Sequence, residues 1–419
     1  MRILFLTNYY PPHELGGQGR SCQEVVRGLE DRGHECLVLT SMHGHDNRPA
    51  VDSGVHRRLF LEMDGRPFRH MLTFFTRRRR REAHNLRVLE EIVADFEPDL
   101  AFIWGMWNLP RSLPALAERL LPGRVAYRFA EYWPTLPSQH VLYWQAPPRN
   151  RLTAIPKQIL GRVALRQLAR EVPPLVLQYP HVMCVSAGTR AVLLEAGLPI
   201  EHARVIHTGM DPDETGFEEF PGPKAPAPGL ELLYAGRISS EKGVESLIET
   251  MVALQAEPAS GPVNLRLAGT GSTTFIDALK QRVRSAGLDG RVRFLGQVPG
   301  EEMPALMRSA HVLVVPSIWA EPFARVVLEG MAGGLVVVAA RTGGTAEIID
   351  HDRNGLLYPP GDAAALCAAI RRLAADPADR NRLARAGRET VRSGFTRKAM
   401  LDRIEDFLFE AAGMAETAE

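Results

Sequence analysis

The chain has 419 residues, too many for one ordinary hydrophobic core, and is expected to divide into two domains of roughly 200 residues each. Its 50 Lys plus Arg against 49 Asp plus Glu leave a formal net charge of +1, which excludes a global pull toward nucleic acid and makes any basic surface local. Cys22, Cys36, Cys184 and Cys367 form no C-x-x-C pair and read as reduced thiols in a cytosolic protein. The opening Met1 to Thr7 is too short for a signal peptide, and no later run approaches the ~18 apolar residues that span a bilayer, so the expected protein is neither secreted nor integral.

Arg2 to Thr7 reads as an apolar strand that runs into Pro11-Pro-His-Glu-Leu-Gly-Gly-Gln-Gly19. Ser21 to Arg32 then has helical spacing through Cys22, Val25, Val26 and Leu29, Gly33-His34 closes it, and Cys36 to Thr40 is the next strand. The opening is therefore a parallel, Rossmann-like unit. Gly16-Gly-Gln-Gly19 is not the dinucleotide fingerprint, and taken alone it reads as a tight turn. His43-Gly-His45 lies in a polar loop and no Asp-x-Asp pair occurs in a suitable context, so no metal is expected.

Val55 to Leu61 is another strand. Phe68, Met71, Leu72, Phe74 and Phe75 precede the arginine run Arg77 to Arg81. Successive side chains about 100° apart encircle a helix, so these arginines cannot share one surface. The aromatics beside them suggest a membrane-facing loop and helix; a solvated run beside core aromatics is the alternative. Asp99 to Trp104 and Val125 to Phe129 are strands ending in loops of the kind where ligands gather. Arg149 to Val172 is a basic amphipathic helix, with Arg162, Arg166 and Arg170 opposite Ala164, Leu165, Leu168 and Val172. A strand at His181 to Ser186 and a helix at Ala187 to Ala196 follow, and Pro221 to Gly229, with its four prolines, reads as the linker or start of the second domain.

The second half alternates strand and helix: Leu230 to Ala235, Gly243 to Leu254, Val263 to Ala268, Phe275 to Ala286, Arg291 to Leu295, Glu301 to Ser309, and His311 to Val315. Such alternation means a parallel sheet covered on both faces. Glu321-Pro-Phe-Ala-Arg-Val-Val-Leu-Glu329 follows. Pro322 suits a first helical position and Gly333-Gly334 a left-handed cap, which predicts a helix of roughly three turns with Glu321 in the loop before it and Glu329 two turns inside, the two carboxylates at different depths and Glu329 the buried one. Val336 to Val338 is a buried strand, and Arg341 to Glu347 turns into a helix start that favours an anion. Helices at Ala363 to Ala374, Arg380 to Ser393 and Phe395 to Ala411 close the chain.

The Glu321 to Glu329 string resembles the paired-glutamate motif of retaining glycosyltransferases of family 4. That family also places a Gly-Gly-x-x-Glu turn shortly afterwards, here Gly343, Gly344 and Glu347, and Gly236-Arg-Ile-Ser-Ser-Glu-Lys242-Gly243 is similar to its donor diphosphate motif. The resemblance implies the α/β GT-B architecture: two Rossmann-like parallel-sheet domains facing across a cleft. Residues 1–212 would be the acceptor side, 213–394 the nucleotide-sugar side, and 395–419 a helix returning to the first domain. It implies Arg237 and Lys242 on the diphosphate, with Glu321 completing the catalytic set. Donor contacts would come from Gly17, Val298, Phe323, Ala324, Glu329, Gly343 and Gly344, with Glu329 accepting from ribose hydroxyls. The acceptor-side loops of the family commonly carry histidine; here the corresponding places hold Trp104 and Glu131 as candidates.

The implied protein is a retaining glycosyltransferase of the hexosyltransferase class, working in polysaccharide biosynthesis without metal or other cofactor. It would use a nucleotide sugar and a glycan or glycolipid acceptor, such as a lipid-linked or cell-envelope glycan precursor. Its expected place is cytoplasmic, peripheral on an anionic inner membrane face, with no nucleic-acid partner. A nucleotide-sugar epimerase, a sugar phosphorylase, or a non-catalytic membrane-associated binding protein are the alternatives.

Overall fold

The structure, a computed structural model, describes residues 1–13, 17–46, 48–63, 67–148, 151–170, 176–211, 229–256 and 261–414; for 67–70, 72 and 151–153 it describes the main chain alone. Gly16, Val172, the proline-rich stretch 221–228 and the side chains of Phe68 and Leu72 lie outside the described residues. The chain forms two compact units. The first takes Met1–Cys184, Arg190–Val205 and the chain from Leu401 onward; the second takes Val185–Thr189 and Ile206–Met400. The limits thus fall at 205 and 400 rather than at 212 and 395. The main chain explains this: Met210 N–H donates to Phe395 O at 2.9 Å, Arg397 N–H donates to Met210 O at 3.2 Å, and a Cβ on Gly209 would meet Thr396 O at 2.2 Å.

In chain order the first part comprises β1 Arg2–Thr7, α1 Gln18–Glu30, β2 Glu35–Ser41, β3 Ala50–Asp52, β4 Val55–Leu59, α2 Pro67–Phe96, β5 Leu100–Gly105 and α3 Ser112–Leu120. It continues with β6 Val125–Phe129, α4 Gln139–Gln145, α5 Arg151–Arg170, β7 His181–Cys184, α6 Ala187–Glu195 and β8 Arg204–Val205. The sheet order is β3-β4-β2-β1-β5-β6-β7-β8, parallel except for β3 against β4. Alternation along each strand decides what the two faces bury. Leu4, Leu6, Ala101 and Ile103 join Val88, Leu89 and Ile92 of α2 and Leu113 and Leu116 of α3 in one core. Phe5, Phe102 and Trp104 pack together on the other face, tilted or edge-on, with ring centroids 5.4–6.2 Å apart.

The second unit runs through β9 Leu230–Ala235, a 3-10 turn Ser240–Lys242, α7 Val244–Ala256, β10 Val263–Ala268, α8 Thr273–Ser285, β11 Val292–Gly296, α9 Met303–Arg308 and β12 Val312–Val315. Then come α10 Arg325–Ala332, β13 Val336–Ala340, α11 Thr345–Ile348, β14 Leu356–Tyr358, α12 Ala363–Ala375, α13 Pro377–Gly394 and α14 Arg397–Ala411, the last of which passes into the first unit. Its parallel sheet is ordered β11-β10-β9-β12-β13-β14. Leu232, Val312, Val314, Val336 and Val338 face the core shared with α7, α8 and α12. Their neighbours Leu233, Leu313, Val315, Val337 and Ala339 face α9 and α10. Burial on both sides is why these strands read as continuous apolar runs.

One expectation at the centre fails. The helix predicted from Pro322 begins only at Arg325, so it has two turns rather than three. Main-chain carbonyls of Glu321 and Pro322 are taken by Gly344 N–H and by the hydroxyls of Ser186 and Thr189, which holds these residues outside the helix. The predicted C-terminal cap is present: Gly334 has φ +75° and Leu335 N–H donates to Gly330 O at 3.0 Å.

Among the described residues no helix is long and apolar enough to cross a membrane. Phe74, expected on a membrane face, is buried with Trp144 and Ala164. Arg78 lies over its ring at 5.1 Å with the side chain only 10% exposed, whereas Arg77, Arg79 and Arg80 are exposed. The aromatic segment is thus at least partly core, because α2 turns its Phe74 and Arg78 side, four residues apart, toward α4 and α5.

Candidate active site

In the second sheet the chain winds outward from β9 to β10 and β11, then returns to β12 beside β9 and winds the other way. Loops leaving the carboxyl ends of β9 and β12 diverge there and leave the crevice in which open α/β sheets place ligands. The loop after β9 is Gly236 to Gly243; its turn is pinned by Ile238 N–H to Thr270 O at 2.8 Å and by Tyr234 Oη donating to Arg237 O at 2.5 Å. Gly243, at φ +67°, must be glycine, since a Cβ would come within 1.9 Å of Pro316 O. Across the switch point, Lys242 Nζ donates to Glu321 Oε1, which also accepts from Ser317 Oγ. The ammonium stands 5.2 Å over the Trp319 ring.

Glu321 and Lys242 therefore meet, one from each side of the crevice, a pairing that neither motif announced. The depths expected of the two glutamates are reversed: the Glu321 side chain is 9% exposed, whereas that of Glu329 is 31% exposed and lies 3.7 Å from Arg325 Nε. The delayed start of α10 is the cause, because it leaves Glu321 on a loop pressed into the unit and puts Glu329 little more than one turn into the helix. Arg237 is 63% exposed and paired with Glu241 at 2.8 Å, so it stands at the rim of the same loop. Val298, after β11, is half-buried against the α9–α10 core. Phe323 packs its ring on His207 at 5.6 Å and near Phe395 at 6.2 Å, and Ala324 is buried.

Gly343 and Gly344 serve close packing. A Cβ on Gly343 (φ +42°) would meet Glu321 O at 2.1 Å, one on Gly344 would meet Pro322 O at 2.3 Å, and one on Gly188 would meet Gly343 C at 2.9 Å. Glu347 completes the clamp. Its carboxylate accepts from Ala187 N–H at 2.9 Å and Gly188 N–H at 2.8 Å, and His207 Nε2 lies 2.9 Å away. Burial alone would raise this carboxyl, but His207 and the two amides hold it below the usual carboxylate range. This clamp is why residues 185–189 belong to the second unit. Sequence reading missed Ser317 and Trp319, although both stand in the five-residue Ser-Ile-Trp-Ala-Glu string that follows β12.

The first sheet has its own switch point between β1 and β5. Asn8 Nδ2 donates to Trp107 O at 2.8 Å, and Tyr9 meets His43 edge-on at 5.0 Å. Trp104, an acceptor-side candidate, is instead core: it is buried, donates Nε1–H to Gln18 O at 3.2 Å and lies 4.1 Å beneath Arg128. Its place within β5, before the strand end, turns it inward; Trp107 in the following loop is the partly exposed one. Gly17 is exposed at the start of α1, with nothing within 4 Å of a Cβ built on it. Glu131 lies beyond β6. Burial pushes its carboxyl up to about 7 against the lowering effects of the Trp107 N–H and Arg128, a value suited to accepting a proton near neutrality.

Glu62, after β4, is likewise raised to about 7 by burial. For both groups the folded state keeps the proton to a higher pH than the unfolded chain, so stability falls as pH rises from the ordinary carboxylate range through about 7. Glu62→Gln and Glu131→Gln each gain on the order of 2 kcal/mol over wild type above about pH 8 and nothing near pH 4. Thermal melts across that range check this, and a gain independent of pH contradicts it.

Two doubly wound units, the second with a charged pair at its switch point, define an α/β protein of GT-B architecture. The family model of glycosyl transferases group 1 matches residues 217–390, and that of glycosyltransferase family 4 matches residues 15–214. The chain belongs to this glycosyltransferase family. It is 28% identical over 412 residues to a glycogen synthase of Mycobacterium tuberculosis, covering 94% of this chain and 91% of that one. Its fold is similar to sucrose-phosphate synthase of Thermosynechococcus elongatus, at TM-score 0.70 and 21% identity, covering 99% and 100% of the two chains. It is also similar to HepE of Anabaena in complex with UDP, at TM-score 0.67 and 21% identity, covering 98% and 100%.

Proposed function

We propose that this glycosyltransferase moves a sugar from a nucleoside-diphosphate sugar to an acceptor hydroxyl, with retention and without a metal ion. The observation that carries the reading is the Lys242–Glu321 pair at the switch point of the second sheet. A fixed ammonium there neutralises the diphosphate as it leaves, and Arg237 at the rim supplies a second, planar donor. Glu321 faces the positive charge that develops at the anomeric carbon, and Glu329 accepts from ribose hydroxyls. The leaving phosphate takes the acceptor proton; Glu131 is the protein group whose titration suits the same task. A donor panel tests this, starting with UDP-glucose because HepE, of the same fold, binds UDP. The expected products are a glycoside with the donor's anomeric configuration and a nucleoside diphosphate, formed equally in the presence of chelator. An epimer or a free sugar phosphate moves the protein to the epimerase or phosphorylase reading, and no turnover of any donor supports the binding-protein reading.

The acceptor reading is a lipid-linked or cell-envelope glycan precursor met at the cytoplasmic membrane face, and α5 supports it. Ala164, Leu165 and Leu168 pack inward, while Ile155, Ile159 and Val163 are 69%, 58% and 50% exposed at fourfold spacing. By helical geometry they share their face with Arg162, Arg166 and Arg170. An outward face of aliphatic and cationic side chains suits an anionic bilayer, at about 1 kcal/mol per arginine plus a salt-insensitive apolar part. The four cysteines, all buried and none in a disulfide, suit the reducing side. In sedimentation with anionic vesicles, replacing Ile155, Ile159 and Val163 by Ser is expected to remove the salt-resistant binding, and replacing the three arginines by Ser the salt-sensitive part. Equal recovery of wild type and both variants removes the membrane reading.

A further inference from the structure

Two of the run's arginines, Arg78 and Arg81, turn into a cavity of about 280 Å3 within the first unit, just beyond the carboxyl ends of β4 and β5. They lie three residues apart on α2, so they share a face while Arg77, Arg79 and Arg80 point to solvent. Arg111, from the loop after β5, lines the same cavity. Each guanidinium is held in place. Arg78 lies over Phe74 and Arg81 over Phe60, both at 5.1 Å, and Arg111 donates to Trp133 O at 3.0 Å and to Leu136 O. Phe60, Phe74 and Leu168 make the rest of the wall partly apolar.

The carboxyls in the lining do not cancel this charge. Glu82 accepts from Ser112 Oγ at 2.6 Å and stands 3.9 Å from Arg78. Glu62 accepts from Gln139 N–H at 2.7 Å, and its carboxyl is raised to about 7 by burial and by Glu82, against Gln139 N–H, Arg111 and Arg78. At and below neutrality the arginines therefore outnumber the ionised carboxylates. Collecting guanidiniums in a half-apolar cavity costs solvation that a bound anion recovers. A smaller cavity shares Glu62, Arg111 and Ser138 with the first and reaches Trp107, whose main-chain N–H donates to Glu131.

We propose that this cavity binds the phosphate ester of the acceptor, with Arg78, Arg81 and Arg111 on the phosphate, the aromatic wall on the attached apolar or sugar portion, and the reacting hydroxyl directed toward Trp107 and Glu131. The assignment rests on the glycosyltransferase reading and adds the acceptor's class to it. A soluble sugar phosphate and a phospholipid head group share this chemistry.

The test measures binding of glycerol 3-phosphate in solution and of phosphatidic acid in phosphatidylcholine vesicles by the full chain, with UDP saturating so that donor-site phosphate binding is suppressed. Arg81→Gln is expected to weaken binding at least roughly tenfold, and Arg81→Lys less. Thr73→Trp fills the cavity, leaves every arginine and the outer face of α5 in place, and is expected to abolish binding. UDP affinity should be unchanged in all three, which also reports that they fold. The pattern in the soluble arm names a soluble phosphate ester, and the pattern confined to vesicles names a lipid. No binding in either arm, or binding that the variants leave unaltered, overturns the proposal. A wild type that binds the phosphate ester but not UDP overturns the donor reading instead.

Discussion

Lys242→Ala is expected to lower sugar transfer by roughly a hundredfold or more, the loss typical of removing one fixed group that stabilises charge in the transition state. Two losses combine. The leaving diphosphate has no ammonium to meet, and the Glu321 carboxylate, 9% exposed, is left among the described residues with its Ser317 hydrogen bond. Glu321→Gln is expected to lower kcat strongly as well, and the double variant to lose much less than the sum, because the two side chains act as one pair. Arg237→Ala should cost less, near tenfold or about 1.4 kcal/mol, since that side chain is 63% exposed and already paired with Glu241. Glu329→Gln is expected to act on donor KM more than on kcat. Steady-state rates on the true donor measure all five, and a Lys242→Ala enzyme with wild-type turnover removes the assignment.

Gly343→Ala is expected to destabilise the second unit by on the order of 3 kcal/mol. Its Cβ would stand 2.1 Å from the main-chain oxygen of Glu321, at φ +42°, and the Gly343 main chain is itself packed so closely on Gly188 that a Cβ there would meet Gly343 C at 2.9 Å. Neither neighbour can yield easily, because Pro322 O is held by Ser186 and Thr189 and Gly188 by Glu347. Displacing Glu321 should also cost activity before the unit unfolds. Gly290→Ala is the control: nothing lies within 4 Å of its Cβ, so its change should stay within about 0.5 kcal/mol. Denaturant unfolding followed by a probe in the second unit reads the difference. Equal stability of the two variants contradicts the close packing described.

The local pattern was legible wherever local physics decides. Alternating apolar strands and amphipathic helices announced two parallel sheets, because a strand buried on both faces must be continuously apolar, as Val312–Val315 and Val336–Ala340 are. Gly334, at φ +75°, was legible as a cap because few other residues adopt that conformation without strain. Lys242 and Glu321 each stood out from a motif of its own, and the structure brings the two side chains together.

What the sequence could not express is how distant segments use each other's polar groups. Lys242 and Glu321 stand 79 residues apart, and only the reversal of winding between β9 and β12 makes them a pair. Pro322 looked like a helix start by propensity, yet hydroxyls from Ser186 and Thr189, over a hundred residues away, claim its carbonyl and delay the helix to Arg325. That delay inverted the expected depths of Glu321 and Glu329. Trp104 and the arginine run show the same limit at side-chain level: α1 and Arg128 cover the tryptophan, and the packing of α2 against α4 and α5 turns Arg78 inward. Residue type and period determined which elements form in this protein. The tertiary structure decided which side chains remain for chemistry, because burial and hydrogen-bond satisfaction are properties of the assembled surfaces and not of any one segment.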